Sequence, residues 1–288
     1  MNEFVLFTDS ACDIAPATLK EWKVESISLS LLFDGEDKEI SNYDITANDF
    51  YKRMRDGDTA KTSAINVEGF KTAFEPTLKS GKDILYLGFS SGLSTTVNSA
   101  RIAADELKED YPAASVTVVD TLCASAGQGL LVYLAVKQRD EGKTLAEIAE
   151  YAEKTKVGMC HWFTVDDLVY LKRGGRISPT VAFVGGILGI KPVLHMDDEG
   201  HLISMSKARG RKNALKAIVD RFNELAVDKQ NGTVFISHGD CIDDANELAG
   251  MLKDAFGVTV SIIADIGPVI GAHSGPGTLA LFFIGKER

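Results

Sequence analysis

The sequence predicts an α/β protein with two domains, an N-terminal doubly wound, mainly parallel sheet and a C-terminal α+β domain. Three observations lead to this prediction. Strand-like and helix-like segments alternate through the first half, which is typical of parallel sheets. After about Lys156 the pattern changes to consecutive strands. The chain has 288 residues, 45% hydrophobic and 25% charged, which suits globular domains without disorder. We expect the domains to span residues 1–157 and 158–288.

The first half contains apolar runs that resemble buried strands, separated by segments with helical spacing of apolar residues. The strand-like runs are FVLFT, VESISLSLLF, ILYLGF and VTVVDT. The helical segments are predicted at residues 48–56, 67–80, 95–110, 126–141 and 144–156. Ligands of such sheets bind beyond the carboxyl ends of the strands. The loops that follow these runs are therefore the first place to look for a site.

The second half begins with strand-like segments and is predicted to form an α+β domain. MCHWFT, KPVLHM and HLISMSKA are predicted strands, and DDEG is the predicted turn between the last two. Two helix–strand units are expected to follow, ending in VTVSIIADIG and TLALFFIG. No linker rich in Pro, Gly or Ser separates the halves, so we expect the domains to touch along a cleft.

Charge and cysteine usage exclude several classes of protein. The formal charge of −10 disfavours a sequence-independent grip on nucleic-acid phosphates. The four cysteines form no C-x-x-C pair, and the chain opens on a strand-like run without a secretory signal, so a reduced, cytoplasmic protein is expected. His238 and Cys241 in SHGDC are not a metal-ligand set, and no metal or cofactor is predicted.

The longest apolar region, residues 181–194, is too short for a membrane span and is interrupted by Lys191, so no stable membrane insertion is expected. Two interpretations stay open for it. One is a buried helix end and strand. The other is the wall of an apolar cavity.

One motif suggests a hydrolase. Residues 88–92 read GFSSG and match G-x-S-x-G, the turn that carries the nucleophile of α/β-hydrolases, with Ser90 as the nucleophile. His273, with Asp240 or Asp265, would supply the remaining triad residues. However, that turn needs a helix to begin directly after the serine, and here further residues intervene before the helix. A serine hydrolase is therefore kept as the alternative.

The other interpretation of this stretch is an anion site at a helix start. Ser94 is predicted to cap the helix that follows, with Thr95 and Thr96 in its first turn. Backbone N–H groups and the helix dipole point there at any anion. Thr62 is expected in a loop, and His273 in a glycine-rich turn before the last strand.

Ordered motifs along nearly the whole chain resemble the DegV family of bacterial fatty-acid-binding proteins. The motifs are TDSACDI, KTSAIN, GFSSGLSTTVNSA, VVDT, LVYLKRGGRIS, LGIKPVL, KARGRKNA and GAHSGPGT. The resemblance implies a carrier without catalytic residues. It would hold one long-chain fatty acid between its domains and present it to a separate fatty acid kinase, whose acyl-phosphate product enters phospholipid synthesis.

The resemblance also implies which residues bind. Thr62, Ser94 and His273 would hold the carboxylate. Further polar candidates around the head group are Asp9, Ser10, Ser63, Thr95 and Ser274. Asp9 would orient His273 if the two ends meet in the cleft, although an Asx turn or a cap explains Asp9 and Ser10 equally well.

Two positions depart from the family pattern, which commonly has proline at Ile65 and glycine at Thr95. Neither removes a proposed hydroxyl or the imidazole, so the departures affect chain preference and affinity rather than the ligand class.

Basic residues are concentrated in YLKRGGRIS and KARGRKNA, despite the acidic net charge. Arg173, Arg176 and Arg209 are candidates for docking the kinase, because the planar guanidinium suits bidentate contacts with carboxylates and phosphates. A solvated face or salt bridges within the second domain are the alternative. A DNA-associated regulator is disfavoured by the net charge.

Overall fold

The computed structural model describes residues 3–178 and 189–288, and the elements below are numbered within that part of the chain. The strands are β1 (Phe4–Asp9), β2 (Val24–Ile27), β3 (Ser30–Phe33), β4 (Ile40–Ser41), β5 (Ala60–Ser63), β6 (Asp83–Gly88), β7 (Val116–Asp120), β8 (Met159–Thr164), β9 (Ile190–Met196), β10 (Leu202–Arg209), β11 (Phe235–His238), β12 (Ile262–Asp265) and β13 (Leu279–Ile284). The helices are α1 (Pro16–Glu21), α2 (Ala47–Arg55), α3 (Val67–Lys79), α4 (Thr96–Asp110), α5 (Ser125–Asp140), α6 (Leu145–Lys156), α7 (Val169–Arg173), α8 (Arg211–Leu225), α9 (Ile242–Phe256) and α10 (Pro268–Ser274).

The first sheet is parallel, with strand order β2-β1-β6-β7. Its strands are apolar on both faces, as expected for a sheet covered on both sides. Side chains alternate between the faces along a strand. Leu6 and Leu85 therefore join one core, whereas Phe7, Ile84 and Tyr86 join another. The doubly wound parallel sheet predicted from the sequence is confirmed.

The second large sheet has the order β10-β9-β8-β13-β11-β12 and is antiparallel except where β11 pairs with β12. Successive residues of β13 again face opposite sides, with Phe282 in the core shared with α5 and Leu281 and Phe283 in the core under α8 and α9. The hairpin predicted at DDEG joins β9 to β10. The α+β character of this half is confirmed.

Helix α5 packs against both large sheets. Ten of its residues are buried, and its core cluster includes Leu87 of the parallel sheet and Phe163 and Phe282 of the six-stranded sheet. The second sheet begins at Met159, beside the predicted domain boundary at 157/158. Since the two sheets share this core, that boundary remains a prediction.

A third, small antiparallel sheet, β4-β3-β5, corrects the sequence analysis. The run VESISLSLLF is two strands in two sheets rather than one strand. Thr62 and Ser63 lie in β5, not in a loop. The error has a physical cause: β5 reads AKTS and has no apolar run, so its pairing with β3 decides its conformation.

The last third of the chain contains three helix–strand units in place of the two expected, because the short strand β11 precedes α9. His273 and Ser274 end helix α10 instead of lying in a turn. The helix begins with Pro268 at its first position and ends before Gly275, whose φ is +80°.

Within residues 3–178 and 189–288, no helix is long and apolar enough to cross a membrane. Most of the apolar region predicted as a cavity wall, residues 181–188, lies outside the described residues. Its last part forms the start of β9.

Candidate ligand-binding site

A cavity of about 520 Å³ lies between the parallel sheet and the six-stranded sheet. Residues from all three sheets, or from the segments that follow their strands, line it. Its volume falls within the range of about 300–1,000 Å³ that is usual for pockets that enclose a small ligand. Thr62, Ser94 and His273, which were predicted to bind a carboxylate, all line this one cavity.

Thr62 and His273 are in direct contact. The Thr62 hydroxyl and Nε2 of His273 are 2.7 Å apart, although 211 residues separate them in the chain. Strand β5 supplies the threonine, and the last turn of α10 supplies the histidine. The small sheet and α10 therefore position the pair.

The environment of His273 keeps its imidazole neutral near pH 7. Burial lowers its pKa to about 4, and the nearby positive charge of Arg176 adds to this. Nδ1 of His273 is buried without a hydrogen-bond partner among the described residues. A side-chain methyl at Gly174 would lie 2.1 Å from that nitrogen, so glycine at 174 leaves room for the ring.

Ser94 lies at the start of α4, as predicted, but the details differ. The helix begins at Thr96, and the Thr95 side chain makes no capping hydrogen bond. The Ser94 hydroxyl accepts a hydrogen bond from the Thr96 N–H at 3.2 Å and lies 2.8 Å from the Thr96 hydroxyl. It is half-buried and faces the cavity, while Thr95 is exposed at the cavity lining.

Ser274 is a further polar group in the cavity lining. It is buried, and its hydroxyl has no hydrogen-bond partner among the described residues. A buried hydroxyl without a partner is costly. A ligand oxygen in the cavity would remove that cost.

Three other residues that were predicted to lie around the head group make hydrogen bonds to other parts of the protein. Ser63 donates to Glu39 at 2.6 Å and is absent from the cavity lining. The buried Asp9 accepts hydrogen bonds from the Tyr86 hydroxyl at 2.6 Å and from the N–H of Phe89 at 2.9 Å. No hydrogen bond in the described part of the chain joins Asp9 to His273, so the predicted orienting role is not seen.

Burial raises the pKa of Asp9, and its hydrogen bonds oppose that shift. Its carboxylate also accepts from the N–H of Ala11 at 3.0 Å, as in the Asx turn that was the alternative. Ser10 accepts from the N–H of Leu29 at 2.9 Å. Both residues hold the loop that follows β1.

Arg176 belongs to the cavity, which sequence analysis missed. Its Nε donates to the carbonyl of Leu93 at 3.2 Å, and another guanidinium nitrogen donates to the Gly174 carbonyl. Burial lowers its pKa. Arg173 and Arg209 are exposed, and the Arg173 guanidinium lies 5.7 Å from the centre of the Tyr170 ring. The contact of Arg176 with Leu93, next to Ser94, could not be predicted from the basic segment alone.

The rest of the cavity is mostly apolar. The lining side chains that set this character come from both large sheets, the loops beside them and helix α10: Phe89, Leu93, Phe163, Met196, Leu202, Val269, Ile270, Ala280 and Phe282. His161 also lines it, but both of its ring nitrogens are bonded to the backbone, Nδ1 to the Met159 carbonyl and Nε2 to the Ala124 N–H. The cavity thus combines a few polar groups with an extended apolar wall.

The geometry does not support the hydrolase alternative. Ser90 is fully buried, and its hydroxyl donates to the carbonyl of Gly200 at 2.9 Å. His273 is bonded to Thr62, while Asp240 pairs with Arg55 and Asp265 lies beside His238. A nucleophilic serine needs a base within hydrogen-bond reach, and none of the described histidines bonds to Ser90.

Within residues 3–178 and 189–288, no group of three or more His, Cys, Asp or Glu side chains is arranged to hold a metal ion.

Comparison with known proteins identifies the family. The model of the DegV family, whose description reads uncharacterised protein, matches residues 3–286. The chain belongs to the DegV family. A DegV domain-containing protein of Clostridium perfringens is 45% identical over 290 residues, covering 100% of this chain and 99% of the relative.

Solved structures of other proteins share the whole fold. A fatty-acid-binding DegV family protein from Thermus thermophilus superposes with a TM-score of 0.88 at 30% identity, covering 99% of this chain and 100% of that one. A stearic acid-binding protein from Eubacterium ventriosum has a TM-score of 0.89 at 28% identity, with 98% of both chains covered. The family resemblance and the fold class predicted from the sequence are confirmed.

Proposed function

We propose that this DegV protein binds one long-chain fatty acid in the cavity and presents its carboxylate to a separate fatty acid kinase. The kinase forms the acyl-phosphate that feeds phospholipid synthesis, and the DegV protein contributes no catalytic residue. The observation that carries the proposal is a hydroxyl–imidazole pair, Thr62 and His273, in the wall of a largely apolar cavity. The same ligand class is supported by the fatty-acid-binding DegV family protein from Thermus thermophilus and the stearic acid-binding protein from Eubacterium ventriosum, which share this fold.

The hydrogen-bonding roles in this pair suit a carboxylate. A neutral imidazole has one N–H and one acceptor nitrogen. If Nε2 carries the hydrogen and donates to Thr62, the threonine hydroxyl is left free to donate to a carboxylate oxygen. If Nε2 were instead the acceptor, the Thr62 hydroxyl would donate its hydrogen to the imidazole and could not donate it to the carboxylate. His273 thus acts by orienting Thr62, and the Ser94 hydroxyl supplies a second donor.

The energetics divide into two parts. A carboxylate taken into an apolar cavity must be hydrogen-bonded, and each bond to a charged group contributes about 1.5–3 kcal/mol. At about 0.8 kcal/mol per buried CH₂, a tail of roughly sixteen carbons contributes a gross figure near 12 kcal/mol. Tail burial therefore dominates retention, whereas the polar groups decide where the carboxylate lies.

Lipid extraction from the purified protein, followed by mass spectrometry, tests the ligand. Stoichiometric long-chain fatty acid is expected after gentle purification. Native mass spectrometry of the same sample checks that the lipid is bound to the folded chain. The absence of fatty acid from both measurements would disprove the proposal.

The kinase interaction is tested separately. Arg173 and Arg209 are exposed, and an acidic protein that displays such cations offers a contact for carboxylates or phosphates of a partner. Arg173→Glu or Arg209→Glu is expected to slow phosphorylation of the bound acid without releasing it, and the loss should shrink with added salt. Lys253→Glu, an exposed cation on α9, is the matched control. If both arginine variants support phosphorylation at the parent rate, the two arginines do not dock the kinase.

A further inference from the structure

The contacts of the GFSSG segment, residues 88–92, suggest a structural role for this motif in place of a catalytic one. Ser90 lies where the loop after β6 meets the turn between β9 and β10. Its hydroxyl donates to the Gly200 carbonyl at 2.9 Å and accepts from the Gly92 N–H at 3.2 Å. One buried hydroxyl therefore joins the turn of the second domain to the loop of the first.

The backbone of Ser90 connects this contact to the head-group site. Its N–H donates to the Cys123 carbonyl at 3.0 Å, and its carbonyl accepts from the N–H of Leu93 and of Ser94, each at 3.1 Å. Ser90 cannot shift without changing the position of Ser94. The hydroxyl of Ser94, in turn, faces the cavity.

Two glycines allow the loop and the turn to approach closely. A methyl at Gly92 would lie 2.6 Å from the Gly200 carbonyl oxygen. A methyl at Gly200, whose φ is +80°, would lie 2.1 Å from the Ser90 hydroxyl. The spacing of the GFSSG segment therefore matches a tight contact between two backbones.

The turn is built to move as one unit. The Asp197 carboxylate accepts from the N–H of Glu199 at 3.1 Å and of His201 at 2.7 Å. The strands on both sides carry Met196 and Leu202, which line the cavity and pack in the same apolar cluster as Leu93 of the loop. A displacement of the turn from the loop would open the cavity wall between Leu93 and Leu202.

We propose that Ser90 is a positioning residue that fastens the β9–β10 turn to the loop carrying Ser94, and so sets how readily the cavity opens to release its ligand. The release step rests on the proposed function, since it assumes a fatty acid in the cavity. The fastening itself does not depend on the ligand.

Ser90→Ala tests both parts. It should raise amide hydrogen exchange in residues 88–94 and in residues 197–202 together, because one hydroxyl serves both segments. Release of bound radiolabelled palmitate to phosphatidylcholine vesicles should accelerate by about tenfold, the effect expected from losing one buried hydrogen bond. Ser80→Ala is the control, because that hydroxyl also donates to a carbonyl, but at the end of α3.

Gly200→Ala provides a second and independent variant. Alone it should also speed release, because the new methyl meets the Ser90 hydroxyl. In the Ser90→Ala background the effect of Gly200→Ala should be smaller than in the parent, since the hydroxyl that the methyl meets is gone, and the part caused by the strained φ of +80° should remain. Strict additivity of the two effects would overturn the proposed contact.

The two proposals fail in different ways. If the parent protein carries no fatty acid, the proposed function fails, and the hydrogen-exchange measurement still decides the fastening. If the parent carries fatty acid but Ser90→Ala leaves exchange in residues 197–202 and palmitate release at parent values, the role of Ser90 is wrong and the proposed function stands.

Discussion

Two histidines line the same cavity, His161 and His273, and they differ in how their ring nitrogens are used. His161 is buried and His273 is partly buried, and burial lowers the pKa of each. His161 is bonded through both nitrogens to the backbone, and its ring edge packs on Phe282. His273 is bonded through one nitrogen to a side-chain hydroxyl, and its other nitrogen has no partner within the described residues.

The comparison shows why burial alone does not identify a ligand-binding residue. A histidine whose donor and acceptor are both taken by carbonyl and amide groups belongs to the wall of the cavity. A histidine that is hydrogen-bonded to a side-chain hydroxyl can orient that hydroxyl. The hydroxyl is then able to donate its hydrogen to a ligand. Among the described residues of this cavity, His273 has the second arrangement.

The largest expected effect on stability is that of His161→Ala. The change removes a packed ring and leaves the Ala124 N–H buried without its acceptor, so a loss of about 3 kcal/mol in the free energy of unfolding is expected. Urea denaturation measures it. His201→Ala, at an exposed side chain, should change that free energy by less than about 0.5 kcal/mol. Similar losses for both variants would contradict the assignment of His161 to the cavity wall.

The next prediction concerns the head group. Replacing both Ser94 and His273 by alanine should slow phosphorylation of the bound acid by about tenfold or more, because the change removes the Ser94 contact to the carboxylate, worth about 1.5–3 kcal/mol, and the imidazole that orients the Thr62 hydroxyl. Bound lipid should remain, because the apolar wall is intact. The two measurements are fatty acid content and acyl-phosphate formation with the kinase. Phosphorylation at the parent rate would refute the head-group assignment.

Two neighbouring glycines sharpen the role of His273. Gly174 has φ of −71°, so alanine is not strained there, but its methyl would meet Nδ1 of His273 at 2.1 Å. Gly175 has φ of +70°, and a methyl there would have no neighbour within 4 Å. We expect Gly174→Ala to shift the His273 imidazole nitrogen resonances and slow phosphorylation.

Gly175→Ala is expected to leave the His273 imidazole signals unchanged. It should instead lower the free energy of unfolding by about 1 kcal/mol, because alanine is strained at a positive φ. NMR of ¹⁵N-histidine-labelled protein and urea denaturation separate the two outcomes. Identical imidazole spectra for Gly174→Ala and the parent would show that Gly174 does not position the ring.

The smallest expected effect is on pH dependence. His273 has a folded-state pKa of about 4, below its ordinary value near 6.5. The unfolded chain therefore binds more protons between these values, so the stability contributed above pH 6.5 is lost as the pH falls toward 4. His273→Asn should reduce the proton uptake on unfolding in this window by at most one proton.

The remaining pH dependence in that window should come partly from His195, whose pKa is also about 4 because of burial, and from His161. Denaturation at several pH values, with parent and variant side by side, measures the difference. An unchanged slope would mean that His273 is not buried as a neutral imidazole.

Much of the fold could be predicted because its long elements have clear periodicity. The predicted helix at residues 67–80 corresponds to α3 (Val67–Lys79), and the DDEG turn correctly joins two antiparallel strands. The small sheet could not be predicted, because β4 has two residues and β5 is polar. Their conformation depends on strand pairing and on packing against α10.

Motifs in the sequence suggested residues that line one cavity, but they did not predict the contacts between these residues. The Thr62–His273 contact spans 211 residues, and no local pattern encodes such a pair. The same limit explains Arg176, whose basic segment suggested an exposed surface although its guanidinium reaches the Leu93 carbonyl. Ser63, one residue after Thr62, points to Glu39, because neighbouring side chains of a strand face opposite sides.

Thr62, Ser94 and His273 come from three separate parts of the architecture: the small sheet, the loop between β6 and α4, and α10. A carboxylate bound to the Thr62 and Ser94 hydroxyls, with Thr62 hydrogen-bonded to His273, would act as a removable cross-link between these parts. The melting temperature should then rise with the concentration of free fatty acid, because a ligand bound only by the folded state stabilises it by mass action. In a cell that scavenges fatty acids, the amount of folded protein would follow the supply of its own ligand.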